Sequence, residues 1–135
     1  MYWDTAAVIN ALVSKPVWDR LATEEHFTRL HMFSEFFSIM TGRGIQVKGQ
    51  SARLVMSTTD AAIWLRKFSS KVKLVDLELS ETLDAFEKAA RKGVMGRRVY
   101  DYGHVLGAEK AGTDVILTRN TADFIPLTSQ AVQWP

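Results

Sequence analysis

Short runs of apolar residues alternate along the chain with longer segments whose apolar positions recur every three or four residues. A short apolar run predicts a buried strand, and recurrence at the longer spacing predicts a helix that buries one side. Residues 45–56 match neither pattern. The alternation predicts an α/β fold, a three-layer α/β/α sandwich around a central parallel sheet of about five short strands. The predicted strands are residues 1–3, 27–31, 72–77, 114–118 and 131–134. The predicted helices are residues 5–14, 17–22, 32–40, 58–68, 81–92 and 99–111.

Turn-forming and capping residues set the expected ends of these elements. Pro16 is expected to end the first helix, because proline lacks the N–H that a helix interior requires. Thr58 or Thr59 is expected to cap one later helix and Ser80 the next, since a side-chain oxygen there can accept from the free N–H groups. Gly93 is expected to end the helix that Ser80 begins.

The composition fits a single domain, residues 1–135, without stabilising cross-links. A chain of 135 residues buries roughly two-thirds of its unfolded surface, so an ordinary core suffices. The absence of cysteine excludes disulfides, thiolate zinc sites and cysteine nucleophiles, and it fits a reducing compartment. The net charge of +2 leans mildly towards a polyanionic partner.

The distribution of apolar residues indicates no association with a membrane. No apolar run approaches the length of a membrane span. The first residues lack the positively charged leader and apolar stretch of a signal peptide. We therefore expect a cytoplasmic protein.

Four acidic residues, Asp4, Glu35, Asp101 and Asp123, each lie beside a predicted strand or within a helical pattern. An ionised carboxylate among apolar residues is costly unless something compensates for it. A fold that gathers several carboxylates usually does so around a divalent cation. In parallel α/β sheets, ligands bind beyond the carboxyl ends of the strands, where Asp4 and residues 118–123 would lie. The pattern indicates metal-assisted phosphoryl chemistry.

Each of these acids also has an ordinary structural interpretation. Asp4 and Asp101 could each cap a helix, because a short side-chain acceptor satisfies the first free N–H groups. Asp123 and Asn120 could serve turn chemistry, since both residue types bond to their own backbone in loops. Glu35 could lie in a polar stripe of its helix together with its serine neighbours. The sequence leaves both interpretations open for every one of them.

Basic and imidazole side chains near the acids extend the candidate site. Arg97 and Arg98 belong to a basic cluster that is either a solvated loop or a patch that contacts phosphates, and Arg119 could serve similarly. The three histidines show no metal-ligand spacing and are interpreted as structural side chains. One of them, His104, shares a predicted helix face with Asp101.

Short segments around the four acids resemble the motifs of PIN-domain nucleases, most closely the VapC-like ribonuclease toxins of type II toxin–antitoxin modules. Residues 2–6, Tyr-Trp-Asp-Thr-Ala, are similar to the opening strand and acid of that family, and Ser34-Glu35 to its second acid. Residues 100–108 are similar to the segment of the third acid. Residues 117–124, Leu-Thr-Arg-Asn-Thr-Ala-Asp-Phe, are similar to its closing motif, with Asn120 where some members carry Asp.

The resemblance implies a PIN-like fold and a Mg²⁺- or Mn²⁺-dependent endoribonuclease. It also implies an RNA substrate, a cognate antitoxin protein and, because many such toxins are dimers, a homodimer. The metal-binding and catalytic residues that it implies are Asp4, Glu35, Asp101 and Asp123. The residues that it implies as supports for the carboxylates are Thr5, Thr118 and Asn120.

Two other classes of protein remain open from the sequence. A receiver-type signalling domain is also a parallel α/β fold of this length, but it needs an acidic pair and a lysine after a late strand. Here nothing acidic precedes Asp4, and Thr118 is followed by Arg119. The second class is a non-catalytic PIN scaffold that binds RNA or a protein partner, and metal binding separates it from the enzyme.

Overall fold

The computed structural model of the protein describes residues 1–135 and contains seven strands and seven α-helices. Two single 3-10 turns, Ala90–Lys92 and Ile125–Leu127, follow the fifth and seventh helices. Strands β1 to β7 are, in chain order, Tyr2–Trp3, Phe27–Thr28, Ile45–Gln46, Arg53–Leu54, Lys73–Leu74, Val115–Leu117 and Ala131–Gln133. Helices α1 to α7 are Thr5–Val13, Lys15–Arg20, Leu30–Thr41, Thr58–Ser69, Leu79–Ala89, Arg98–Lys110 and Thr121–Phe124.

Five of the strands form one parallel sheet with the order β5-β2-β1-β6-β7. The prediction of an α/β fold with about five short parallel strands is confirmed. The other two strands, β3 and β4, form a separate antiparallel pair within residues 45–56, the segment that matched neither pattern. No helix is both long and apolar enough to cross a membrane.

Successive residues of β1 point to opposite faces of the sheet and belong to two separate cores. Trp3 packs with apolar side chains of α1 to α4, among them Phe36 and Phe68. Tyr2 packs with side chains of α5, α6 and α7, among them Val105 and Phe124. Helices therefore cover both faces of the sheet, as in a three-layer sandwich, and β1 lies at the centre of the molecule.

The predicted strand at residues 27–31 is wrong in its second half. Strand β2 ends at Thr28, and Leu30 begins α3. The backbone N–H of Leu30 donates to Asp76 Oδ2 at 3.0 Å, so a distant carboxylate supplies the acceptor that a helix start requires. The apolar pattern of the segment could not reveal that partner.

Several predicted caps are one residue or more away from the observed ones. Helix α1 ends at Val13, before Pro16. Pro16 itself lies in the first turn of α2, where a helix needs no N–H donor. Ser57 caps α4 by accepting from the N–H of Asp60. Glu78, not Ser80, is the N-cap of α5, through a reciprocal capping box with Glu81.

Candidate active site

The candidate site lies beyond the carboxyl ends of β1 and β6, the two neighbouring strands at which the order of strand addition reverses. Strand β1 is followed in sequence by its neighbour on one side, β2, whereas β6 on its other side comes much later in the chain. Such a switch point leaves a crevice between the loops that follow the two strands. Asp4 follows β1, and Thr118 follows β6. The backbone N–H of Asp4 donates to Leu117 O at 3.1 Å, which ties the two strand ends together.

Asp4 is a buried carboxylate with two fixed donors. Its Oδ1 accepts from the backbone N–H of Ala7 at 2.7 Å, and its Oδ2 accepts from the hydroxyl of Thr118 at 2.5 Å. The interpretation of Asp4 as the N-cap of α1 is confirmed. The residue is only 5% exposed, and burial raises the pKa of Asp4 from 3.8 to about 6 although nearby His104 and both donors favour its charged form.

Glu35 projects from the middle of α3 towards the same crevice. Its Oε2 accepts from the hydroxyl of Thr5 at 2.5 Å and lies 3.7 Å from His104 Nε2. The contact with the His104 ring, followed by the Thr5 hydrogen bond, lowers the pKa of Glu35 to about 2 against the cost of its partial burial. The side chain of Glu35 is one-third exposed, but it contacts Thr5 on α1 and His104 on α6. These contacts argue against the interpretation of Glu35 as part of a solvated polar stripe on α3.

Asp101 lies in the first turn of α6 but is not its cap. Helix α6 begins at Arg98, and Arg97 precedes it as an N-cap without a side-chain bond, so the capping interpretation of Asp101 is wrong. Burial raises the pKa of Asp101, His104 opposes the rise, and the charges of Asp123 and Glu35 add to it. Asp101 is therefore close enough to Asp123 and to Glu35 for their charges to affect it.

Asp123 is the exposed end of a hydrogen-bond chain that begins at Asp4. The side-chain amide of Asn120 donates to Asp123 Oδ2. The backbone N–H of Asn120 donates at 2.9 Å to the Thr118 hydroxyl, which in turn donates to Asp4. Turn chemistry was one of the two interpretations open for Asn120 and Asp123, and in the structure Asn120 precedes the short helix α7, which contains Asp123. Thr118 and Asn120 therefore link the buried Asp4 to the exposed Asp123.

His104 is the residue that sequence reasoning undervalued. It is 3% exposed, its Nδ1 lies 3.0 Å from the Tyr2 hydroxyl, and its Nε2 has no hydrogen-bond partner. A proton on its ring would favour the ionised forms of Asp4, Glu35 and Asp101 alike. The shared helix face of Asp101 and His104, three residues apart, was the available signal.

The three candidate arginines differ in their distance from the acids. Arg98 is close enough to lower the pKa of Asp101, and its buried Nε has no hydrogen-bond partner. Arg97 is exposed beside it. Arg119 is exposed after β6, and its guanidinium carbon lies 5.8 Å from the centre of the Trp134 ring. Arg98 is thus the strongest candidate for an anion contact in the crevice.

The donor chemistry of the crevice fits a hard divalent cation, although its side chains are not yet gathered around one point. No three His, Asp or Glu side chains stand in a metal-binding arrangement. Carboxylate oxygens are nevertheless the ligands that Mg²⁺ and Mn²⁺ favour. Burial is the main cause of the raised pKa values of Asp4 and Asp101, so a bound cation would favour their charged forms.

Comparison with known proteins adds no family to this description. No protein-family model matches the chain, and no curated protein matches it in sequence.

Proposed function

We propose that this protein is a Mg²⁺- or Mn²⁺-dependent endoribonuclease of the PIN-domain type that hydrolyses RNA phosphodiester bonds. One observation carries the proposal. Asp4, a carboxylate buried at the switch point of a parallel sheet, accepts a hydrogen bond from Thr118, which Asn120 links to Asp123, while Glu35 accepts one from Thr5, the residue after Asp4. Several acids in one crevice, held at a stability cost, are typical of a site for a cation.

Asp4, Glu35 and Asp101 would hold the metal, with Asp123 as a further ligand or as the acceptor that orients a water. When bound, Mg²⁺ or Mn²⁺ would supply Lewis-acid polarisation of the phosphate and a more acidic water. Thr5 and Thr118 each donate to one carboxylate, so they fix the direction in which its remaining lone pairs point.

The protein's own residues would also position the RNA. Arg98 would contact a phosphate beside Asp101, and Arg97 and Arg119 would contact neighbouring phosphates. Guanidinium groups suit this task because their donors match pairs of phosphate oxygens. The excess of positive charge on the whole chain is small, so these local contacts matter more than the net field.

The strand order argues against the receiver alternative. Counted within the large sheet alone, the order is 3-2-1-4-5. Receiver domains have the order 2-1-3-4-5. The non-catalytic scaffold retains the same fold and the same motifs, so only the behaviour of the acids towards metal and RNA separates it from the enzyme.

The biological role follows from the resemblance alone. As a VapC-like toxin the protein would act in the cytoplasm, pair with a cognate antitoxin protein and form a homodimer. These three statements rest on analogy of motifs with the family.

The test is cleavage of total RNA by purified wild type and by an Asp4→Asn variant, with Mg²⁺, with Mn²⁺ and with chelator. The expected result is cleavage by the wild type only when metal is present, and none by the variant. Asp19→Asn is the matched control, because Asp19 is exposed and pairs only with Lys15 on α2. Metal-independent cleavage, or full activity of Asp4→Asn, would contradict the proposal.

A further inference from the structure

A second concave feature adjoins the carboxylates. A cavity of about 170 Å³ lies between α5 and α6, beneath the start of α3. Most of its lining is apolar, but one guanidinium and one imidazole reach it. The lining residues that matter here are Arg29, His31, Phe86, Tyr100, Gly103 and Leu106.

A stacked aromatic pair connects this cavity to the acids. The rings of His31 and Tyr100 are nearly parallel, with an interplanar angle of 8° and centroids 5.0 Å apart. His31 Nε2 lies 3.9 Å from Glu35 Oε1, and Tyr100 directly precedes Asp101 in α6. Tyr100 is 46% exposed, so part of its ring is open to a ligand. A flat group bound in the cavity would therefore lie beside the proposed metal ligands.

The polar wall of the cavity is fixed by a glycine. A Cβ atom at Gly103 would lie 1.9 Å from Arg29 Nη1, so the glycine leaves room for the flexible guanidinium to lie against α6 in this position. Asp76 holds the other side of that guanidinium, with 3.5 Å between Arg29 Nε and Asp76 Oδ1. Arg29 thus presents donors in a defined position beside an apolar, aromatic surface.

The volume of the cavity and the side chains that line it limit the kind of ligand that it can hold. Pockets for drug-sized ligands measure about 300–1,000 Å³, so this one suits a single flat ring system. Aromatic stacking with donors at the ring edge is how proteins bind unpaired nucleobases. We infer that the cavity holds one unpaired base of single-stranded RNA while the adjoining phosphate lies at the carboxylates. This inference deepens the proposed function and rests on it for the position of the phosphate.

Binding measured without cleavage tests the inference separately from the activity. All proteins carry Asp4→Asn and are kept in chelator, and binding of a fluorescent single-stranded RNA oligonucleotide is followed by anisotropy. Tyr100→Ala removes the exposed ring, Tyr100→Phe keeps the stack, and Phe37→Ala is the control, because Phe37 is an exposed aromatic residue on α3 outside the cavity. Melting curves of each variant check that it is folded.

The expected result is about 5- to 100-fold weaker binding for Tyr100→Ala, the range that loss of one stacked base gives. Tyr100→Phe and Phe37→Ala should stay within about twofold of the parent, since both keep the ring at position 100. An RNA duplex of the same length should be insensitive to Tyr100→Ala, because its bases are paired.

Three results would overturn the inference. They are failure of the parent protein to bind single-stranded RNA, unchanged binding by Tyr100→Ala, and an equal loss for single-stranded and duplex RNA. Unchanged binding would mean that the cavity takes another occupant, such as an apolar side chain of a protein partner. Because the assay needs no cleavage, binding that depends on Tyr100 in a protein without nuclease activity would reject the proposed function and keep the base site.

Discussion

The two halves of the carboxylate crevice are built differently. Asp4 and Glu35 each accept a hydrogen bond from a threonine hydroxyl, and Asp4 is buried at the centre of the sheet. Asp101 is partly exposed on the first turn of α6, and Asp123 is exposed on α7. One half is therefore positioned before any ligand arrives, whereas the other half can adjust.

The contrast is consistent with the finding that no three of these acids stand in a metal-binding arrangement. Four carboxylates fixed at ligand distance would repel one another strongly in the absence of a cation. Fixing Asp4 and Glu35 while Asp101 and Asp123 can move limits that repulsion. The carboxylate oxygens of all four acids would still be available to a cation. We therefore expect substitutions in the Asp4 half to change stability most, and substitutions in the Asp101 half to change the response to metal most.

The largest expected effect is the loss of RNA cleavage in Asp4→Asn. Loss of a group that merely orients a metal ligand typically costs about 10- to 100-fold, so loss of a ligand should cost more than about 100-fold. Asparagine can still accept from the Ala7 N–H, so the cap and the fold should survive. Cleavage rates with Mn²⁺ and circular dichroism measure the two expectations, and a variant that unfolds would not bear on the site.

The pH dependence of stability should expose the buried charge of Asp4. Because its folded pKa is about 6 and its unfolded value 3.8, folded Asp4 holds a proton between these pH values that the unfolded chain has released. Stability of the metal-free protein should therefore fall as pH rises through this window, by up to about 3 kcal/mol. Asp4→Asn should lack this fall.

Denaturant unfolding in chelator at pH 4 and pH 7 measures that difference between wild type and Asp4→Asn. Glu35 acts in the opposite direction, because its folded pKa of about 2 makes its stabilisation fall progressively as pH decreases from 4.5 towards 2. Both proteins retain Glu35, so its contribution cancels in the comparison. An equal dependence on pH in both proteins would contradict a buried, charged Asp4.

The two threonines should differ in their contribution to stability. Thr118→Val leaves the buried Oδ2 of Asp4 without a donor, while Oδ1 keeps the Ala7 N–H, and should destabilise the protein by about 1.5–3 kcal/mol at pH 7. Thr5→Val should cost about 1 kcal/mol or less, because water can replace the hydroxyl at the partly exposed Glu35. Denaturant unfolding of the isosteric pair provides the test. Equal losses of stability in Thr118→Val and Thr5→Val would contradict the view that Asp4 is buried while Glu35 is accessible to water.

The smallest effect is expected at the outer acid. Asp123 is exposed and accepts only from Asn120, so Asp123→Asn should change stability by less than about 0.5 kcal/mol. It should weaken Mn²⁺ binding less than Asp101→Asn does, because Asp101 interacts with more of the other carboxylates. Parallel thermal unfolding and metal titration of the two variants rank them, and a reversed order would place the metal nearer Asp123.

The sheet and most helices could be predicted because their apolar patterns are local. The run around Tyr2 and Trp3 indicates a buried strand whatever surrounds it, and the pattern from Met32 to Met40 indicates α3 in the same way. The start of α3 could not be predicted, because its acceptor is Asp76, which lies 46 positions away in the sequence. Boundaries that depend on distant partners escape pattern analysis.

The candidate site shows the same division. The four acids could be proposed from their positions beside strands and from motif resemblance. The central place of His104 could not, because it depends on burial against Tyr2 and on the approach of α3 to α6. The chain from Asp4 through Thr118 and Asn120 to Asp123 also required the fold, since it joins residues 4 and 118 across two strands.

Calorimetric titration of Mn²⁺ into wild type and into Asp101→Asn at pH 7 tests most directly whether the two halves form one cation site. The account predicts saturable binding by the wild type, with affinity lowered at least about tenfold in Asp101→Asn while the fold is unchanged. Absence of binding by the wild type, or equal binding by both proteins, would contradict it.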